Sequence, residues 1–314
     1  MQREIVFSII IPHKNVSDLL QRCLDSIPLR DDVQVIVVDD NSNPEKVDFE
    51  KFPGLNRPNT EVYFDKSGKG AGRARNVGLK HAKGEWVIFA DCDDYFHREV
   101  LDELMETTMP DDCNAVYWGI EELYPDGSNL IMLTDSDASL SRIPSRKMVL
   151  NSFAPWKKMV RRKILSDKKV FFDEIPASND VMFQMRLMGA LREEYIYWYP
   201  KVVYTWEKRD NSITTAISKA KAWSRFITSL RANRYALQHG WEMVDDNFTY
   251  MKRLKDLSSW DFYYAFYIEW WYLGLGKAMN DYRAICSMDS EHFLLHSNPF
   301  MFWGTMKSKI ITQK

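Results

Sequence analysis

Three aspartates, Asp91, Asp93 and Asp94, follow directly on a run of strand-forming residues, Val87-Ile88-Phe89-Ala90. A short continuous run of β-branched and aromatic residues reads as a buried strand, so the carboxylates fall at its carboxyl end, the ligand-binding edge of open α/β sheets. On an extended chain Asp91 and Asp93 face the same way, and unpaired carboxylates that close repel unless a cation sits between them. A hard divalent ion, Mg2+ or Mn2+, takes oxygen ligands and shares them with substrate phosphates, so the stretch reads as a metal–diphosphate site. The competing reading is a solvated loop capping the helix that begins near Glu99, because aspartates are common helix caps.

Other chemically capable residues lie at corresponding places. Asp39-Asp40 closes a second apolar run, Val33 to Val38. Gly68, Gly70, Gly72 and Gly78 surround Arg73, Arg75 and Asn76 at a turn into a helix through Leu79 and Ala82. The spacing matches neither a Walker loop nor a Rossmann fingerprint. It reads either as a flexible loop with solvated arginines or as backbone amides and Arg75 facing a phosphate. Asn179-Asp180 opens an amphipathic helix whose Val181, Met182, Met185, Leu187 and Met188 read as core packing. Asp180 itself suits the first helical turn on macrodipole grounds alone, so its type and position leave a structural role open.

The elements that must position these groups follow from periodicity. Ile5 to Ile11 is an apolar strand ending at Pro12; Leu19, Leu20, Cys23, Leu24 and Ile27 then recur at helical spacing, with Ser17 where an N-cap belongs. Strand, helix and the strand Val33 to Val38 make a βαβ unit, so the strands are parallel and Asp39 and Asp40 share an edge with Asp91 and Asp93. Glu61 to Phe64 reads as a short strand and Ala115 to Ile120 as another, giving a doubly wound α/β sheet. Tyr124-Pro125-Asp126-Gly127 is a turn signal, and residues 134–147 are polar and serine-rich. From Lys219 onward the chain reads as helical and carries no catalytic signature.

Composition narrows the classes. The 314 residues are 45% hydrophobic, enough for one large domain or two smaller ones. A net charge of -2 and pI near 6.3 give no general attraction to nucleic acid or anionic lipid, so an anionic substrate must be held by local groups. Cys23, Cys92, Cys113 and Cys286 have no metal-ligand spacing and suit a reduced cytoplasmic protein without zinc. Ile5 to Pro12 is too short for a membrane span. Trp260 to Leu275 is aromatic, but Asp261 and Glu269 argue against a bilayer-spanning helix, leaving buried packing or an interfacial, partner-facing helix.

Several motifs in order resemble the GT-A-fold, inverting, family 2 glycosyltransferases of bacterial surface-polysaccharide synthesis. They are Ser8-Ile9-Ile10-Ile11-Pro12-His13-Lys14-Asn15, Val37 to Ser42, Gly70 to Leu79, Gly84 to Asp94, Trp156 to Arg162, Asn179-Asp180 and Asn211-Ser212-Ile213-Thr214. The likeness runs from residue 5 to about 215. It implies a nucleotide-sugar-binding half over 1–120, an acceptor-binding and catalytic half over 121–215 and a helical region over 216–314. By similarity Pro12, Asn15, Asp39, Asp40, Arg75 and Asp91 bind a nucleotide-sugar donor, UDP-linked. Asp93 coordinates Mn2+ or Mg2+, Asp180 is the general base and Trp156 forms part of the acceptor wall. A saccharide or lipid-linked acceptor follows from the same likeness, with a cytoplasmic location at the inner face of the membrane; residues 216–314 lie outside the likeness, and their aromatic helices are the expected place of a peripheral membrane contact. The sequence departs from the pattern where Asn179 replaces the first residue of the Glu-Asp pair, Glu207 stands where arginine is frequent, and His13 replaces an aromatic. A nucleotidyltransferase also uses carboxylate-bound Mg2+ on an α/β sheet, but Pro12 to Asn15 lacks its glycine-rich basic signature. A non-catalytic nucleotide-sugar-binding protein would not need Asp91, Asp93 and Asp180 together.

Overall fold

The computed structural model describes residues 4–132, 139–209, 218–244 and 247–287. The chain divides into a unit over Met1–Ala216 and a second over Ile217–Lys314. In the first, the elements run β1 (Phe7–His13), α1 (Ser17–Asp25), β2 (Val33–Asp40), β3 (Thr60–Asp65), α2 (Ala71–His81), β4 (Trp86–Phe89) and β5 (Tyr95–Phe96). They continue α3 (Arg98–Glu106), β6 (Ala115–Leu123), β7 (Asn129–Met132), β8 (Ser141–Arg142), α4 (Lys147–Leu150), β9 (Lys158–Arg161), α5 (Arg162–Asp167), α6 (Val181–Ala190) and β10 (Ile196–Glu207).

Along the sheet the order is β3-β2-β1-β4-β9-β6-β10-β5. β3, β2, β1 and β4 are mutually parallel, so the expected shared edge exists, with His13 opposite Asp39 and Asp40 opposite Asp65. β9 runs against both β4 and β6, while β6 and β10 are parallel. Alternation along β1 loads both faces of the sheet. Ile9 and Ile11 join Leu20, Cys23 and Leu24 of α1 and Leu101 and Leu104 of α3. Ile10 faces Gly78 of α2, and Phe89 packs its ring edge on Phe172 and on Phe183 of α6. The sheet is therefore doubly wound, with α1 and α3 on one face and α2 and α6 on the other.

Three local expectations change. Val16, not Ser17, is the N-cap of α1, and the buried Ser17 hydroxyl has no partner among the described residues. α6 is buried over most of its circumference rather than on one apolar face, because Gln184 also lies inside, donating to the Val149 carbonyl at 2.7 Å. Residues 141–142 of the serine-rich stretch form β8, and its last residue, Lys147, opens α4. The Asn211-Ser212-Ile213-Thr214 segment lies outside the described residues.

The second unit contains α7 (Lys219–Gln238), α8 (Asn247–Leu257), α9 (Ser259–Leu273) and α10 (Leu275–Ser287) around Phe226, Leu230, Met251, Phe262, Phe266 and Tyr282. Its helix α9 buries two acids alongside its core aromatics. Asp261 is buried against Lys219 and the Trp223 indole, both at 2.8 Å, and Glu269 is fully buried, its carboxyl pushed up to about 8 by burial and by the Asp281 charge. Trp260, Tyr264 and Trp271 are exposed on one stripe of α9, Trp271 at 81%. Among the described residues no helix is long and apolar enough to cross a membrane.

Backbone approaches closely at Gly84, just before β4, where a Cβ would lie 2.6 Å from the Phe7 carbonyl carbon and the Ser8 nitrogen. Backbone cannot yield as a flexible side chain does, so Gly84→Ala is expected to destabilise the fold by about 1–3 kcal/mol, read as a lower urea midpoint with unchanged slope.

Candidate active site

Two groups of polar side chains form at the carboxyl ends of the parallel strands. The first closes the loops after β1 and β2. Asp39 is fully buried; its Oδ1 accepts from His13 Nδ1 at 2.8 Å and from the Ser42 hydroxyl at 2.5 Å, and its Oδ2 from the Ser42 N–H at 2.9 Å. His13 Nε2 accepts from the Val16 N–H at 3.1 Å, so Nδ1 carries the proton that Asp39 receives. Burial opposes charge on Asp39, but these donors outweigh it and hold its carboxyl below the usual range. Asn15 Oδ1 accepts from the Asn43 N–H at 2.7 Å, and the Asn15 N–H donates to Ser42 at 2.8 Å. Asn15 and Asn41 take φ of 61° and 54°, a left-handed backbone that asparagine tolerates best after glycine. Asp40 accepts from Lys14 Nζ and from the Gly70 N–H, each at 3.0 Å. Pro12 is buried in β1 opposite Val38.

The second group surrounds the acidic stretch. The chain is not extended there: the Asp94 N–H donates to the Asp91 carbonyl at 3.2 Å, a turn that swings all three carboxylates together. One oxygen from each lies within 4.8 Å of the others. None of them caps α3, whose N-cap is His97 without a side-chain bond, so the helix-cap reading fails. Each acid instead has its own partner. Asp91 pairs with Arg75, and its N–H donates to the Tyr204 hydroxyl at 2.9 Å. Asp93 pairs with Arg209. Asp94 accepts from the Tyr204 hydroxyl at 3.1 Å and the Glu207 N–H at 3.0 Å. Burial, then the neighbouring acids, push the Asp93 carboxyl up and the Asp94 carboxyl well above its ordinary value.

Asp180 reaches the same cleft through its neighbour. Arg75 Nη2 holds Asp91 while its Nη1 donates to Asn179 Oδ1 at 2.8 Å, so one buried guanidinium ties the acidic turn to the start of α6. Gly72 makes that approach possible, since a Cβ there would overlap the Asp173 carbonyl oxygen and lie 3.0 Å from Asn179 Cβ. Asp180 is the N-cap residue of α6 but makes no side-chain cap bond. Burial raises its carboxyl pKa, the Arg75 charge opposes this and the Asp91 charge adds to it. A carboxylate not spent on capping, beside a carboxylate cluster that suits a hard cation, can take a proton from a substrate hydroxyl.

Trp156 lies beneath the cleft. It is 5% exposed, stacks on Tyr204 at 5.0 Å and accepts from Trp118 Nε1 at its carbonyl, at 3.1 Å. Partly exposed Trp206 is its other ring neighbour, at 5.8 Å. Sequence reasoning did not single out Arg22 or Tyr204. Arg22 joins Glu207 at 2.6 Å to the Asp93 carbonyl at 2.7 Å, and Tyr204 braces Asp91 and Asp94. A surface arginine on a helix and an inward tyrosine on a strand carry no signal that separates them from ordinary packing.

Asp39 yields a pH-dependent prediction. A carboxyl whose pKa is lower folded than unfolded contributes stability above the unfolded value near 3.9 and loses it as pH falls through the folded one. Asp39→Asn is expected to cost about 1–3 kcal/mol at pH 7 by urea denaturation, the gap from the parent chain closing only below about pH 4.

The family model described as "Glycosyl transferase family 2" matches residues 8–168. Staphylococcus aureus TarS, a poly(ribitol-phosphate) beta-N-acetylglucosaminyltransferase, is 27% identical over 187 residues, 57% of this chain and 32% of that protein. A poly(ribitol-phosphate) beta-glucosyltransferase of Bacillus spizizenii is 26% identical over 203 residues, 61% of this chain and 32% of that protein. The chain thus matches about a third of the length of either relative. The crystal structure of S. aureus TarS 1-349 in complex with UDP-GlcNAc superposes with a TM-score of 0.62 at 20% identity, covering 90% of this chain and 81% of that one, a likeness of fold. The parallel β3-β2-β1-β4 sheet with its acidic carboxyl edge is the GT-A arrangement, and with just over half of its length matched by the family model the chain belongs to glycosyl transferase family 2.

Proposed function

We propose that this chain transfers a sugar from a nucleoside-diphosphate sugar, UDP-linked, to a hydroxyl of a saccharide or lipid-linked acceptor in the synthesis of a surface polymer, with inversion at the anomeric carbon. The observation that carries this reading is the Arg75 bridge, which brings Asp180 of the second half into the cleft of the Asp91-Asp93-Asp94 turn. The relatives' acceptors are ribitol-phosphate polymers by name, and the S. aureus TarS fragment was crystallised with UDP-GlcNAc and with UDP.

In this reading residues 1–120 hold the donor. Asp40, with Lys14 and Gly70 at the open end of the loop, takes the base or ribose, while Pro12, Asn15 and Asp39 set the wall of that pocket. Arg75 and Asp91 stand beside the nucleotide. Asp93, with Asp91 and Asp94 close by, offers the hard oxygen donors that suit Mn2+ or Mg2+. A divalent cation held there stabilises the negative charge that develops on the departing diphosphate. Asp180 accepts the acceptor's hydroxyl proton as its oxygen bonds to the anomeric carbon; the bond to the diphosphate breaks and its electron pair leaves with the nucleotide. One base on the face opposite the leaving group gives inversion. Residues 121–215 hold the acceptor, with Trp156 acting through Trp206, the member of the stack that reaches the surface. A lipid-linked acceptor places the enzyme in the cytoplasm at the inner face of the membrane, where the exposed Trp260, Tyr264 and Trp271 of the 216–314 region suit the headgroup layer.

UDP release from UDP-sugars, assayed with Mn2+ and with EDTA, tests the reading: release that survives EDTA overturns the metal assignment, and pyrophosphate release from a nucleoside triphosphate overturns the reaction class. Asp180→Asn is expected to lower kcat by about 10²–10⁴-fold while calorimetric UDP affinity stays within a few-fold; equal loss of both would reassign the residue. Because burial raises the Asp180 carboxyl, its basic form is lost at a higher pH than usual. The kcat profile is therefore expected to fall on the acid side through a midpoint above the ordinary carboxylate value of about 4.

A further inference from the structure

Of the three clustered acids, two have partners anchored in the core. Arg75, on Asp91, is 5% exposed and fixed by Asn179, with the Phe172 ring 5.3 Å beneath its guanidinium. The partners of Asp94 are the hydroxyl of fully buried Tyr204 and a backbone N–H of β10. Asp93 differs. Its partner Arg209 lies two residues past the end of β10, and its side chain is 32% exposed. The Asp93 backbone is nonetheless held in place, because Arg22 Nη2 donates to its carbonyl at 2.7 Å while Nη1 is tied to Glu207 at 2.6 Å.

Resting on the metal-dependent reading above, we propose that Arg209 is a resident counter-ion. It neutralises Asp93 in the cation-free enzyme, competes with a divalent ion for that carboxylate, and transfers its charge to the diphosphate of the incoming nucleotide. A guanidinium and a divalent cation compete for the charge of one carboxylate, here through Asp93 Oδ2, so cation binding weakens the Asp93–Arg209 pair. A nucleotide diphosphate supplies the anionic acceptors that let Arg209 go without stranding its charge, since planar guanidinium matches phosphate as well as carboxylate. Cation and nucleotide then bind with positive coupling, each tightening the other by the same factor, as linkage requires. The arrangement explains how a cleft with three acids close together holds a cation only weakly without substrate.

The test is Mn2+ binding to the full chain by electron paramagnetic resonance, with and without UDP, for the parent, Arg209→Ala, Arg209→Lys and Arg98→Gln. Arg98 is exposed at the start of α3, so its variant controls for charge removed from the surface. Expected for Arg209→Ala is Mn2+ binding about two- to fivefold tighter without UDP, the range of a partly exposed ion pair, with weaker UDP affinity and a smaller mutual enhancement. Arg209→Lys falls between, and Arg98→Gln matches the parent. Mn2+ affinity of Arg209→Ala equal to or below the parent's, or enhancement by UDP unchanged, overturns the counter-ion role while leaving the metal site standing. Absence of Mn2+ binding to the parent, with Asp93→Ala behaving identically, overturns the metal reading and this proposal together.

Discussion

Repulsion among carboxylates governs this fold's active edge. Two unit charges at the 4.8 Å that bounds the Asp91-Asp93-Asp94 oxygens oppose each other by about 3 kcal/mol at an effective dielectric near 20. The turn after β4 persists because every acid is answered from a different part of the chain. α2 supplies Arg75, β10 supplies Tyr204 and the Glu207 N–H, and the residue just beyond β10 supplies Arg209. Charge neutralisation here is also what draws the second half of the sheet, through β10, onto the edge built by the first.

α2 connects the whole cleft. At its start Gly70, with φ of 87°, presents its N–H to Asp40; two residues on, Gly72 admits the 173–179 segment; Arg75 then spans Asp91 and Asn179. The Asp40 loop, the acidic turn and the start of α6 are thus registered against one helix, whose inner face is pinned to the sheet where Gly78 meets Ile10. Rigid elements of this kind hold reacting groups within the tolerance that proton transfer and displacement need.

α9 mixes buried charge with exposed rings. Its two acids are buried beside Lys219, Trp223 and Asn247, while Trp260, Tyr264 and Trp271 face outward. Such a helix gains nothing from water on its exposed stripe, in contrast with β1, where apolar residues on both faces are consumed by packing. The same aromatic richness in the sequence therefore reports core at Phe262 and Phe266 and surface at Trp260, Tyr264 and Trp271.

Much was legible in the sequence. Continuous apolar strands ending in Asp39-Asp40 and Asp91 to Asp94, separated by helical periodicity, determine a parallel sheet with acids along one edge, because strand polarity and right-handed crossovers leave few alternatives. The ordered motifs determined the family. What only the tertiary structure decided is who meets whom. That Asp180 joins Asp91 through Asn179 and Arg75, that Arg209 rather than a helix end answers Asp93, and that Trp156 is buried under Tyr204 all depend on contacts between residues 16 to 116 positions apart. Local propensity and spacing carry no term for such pairs; they are fixed by which charges and rings the packed sheet leaves facing one another.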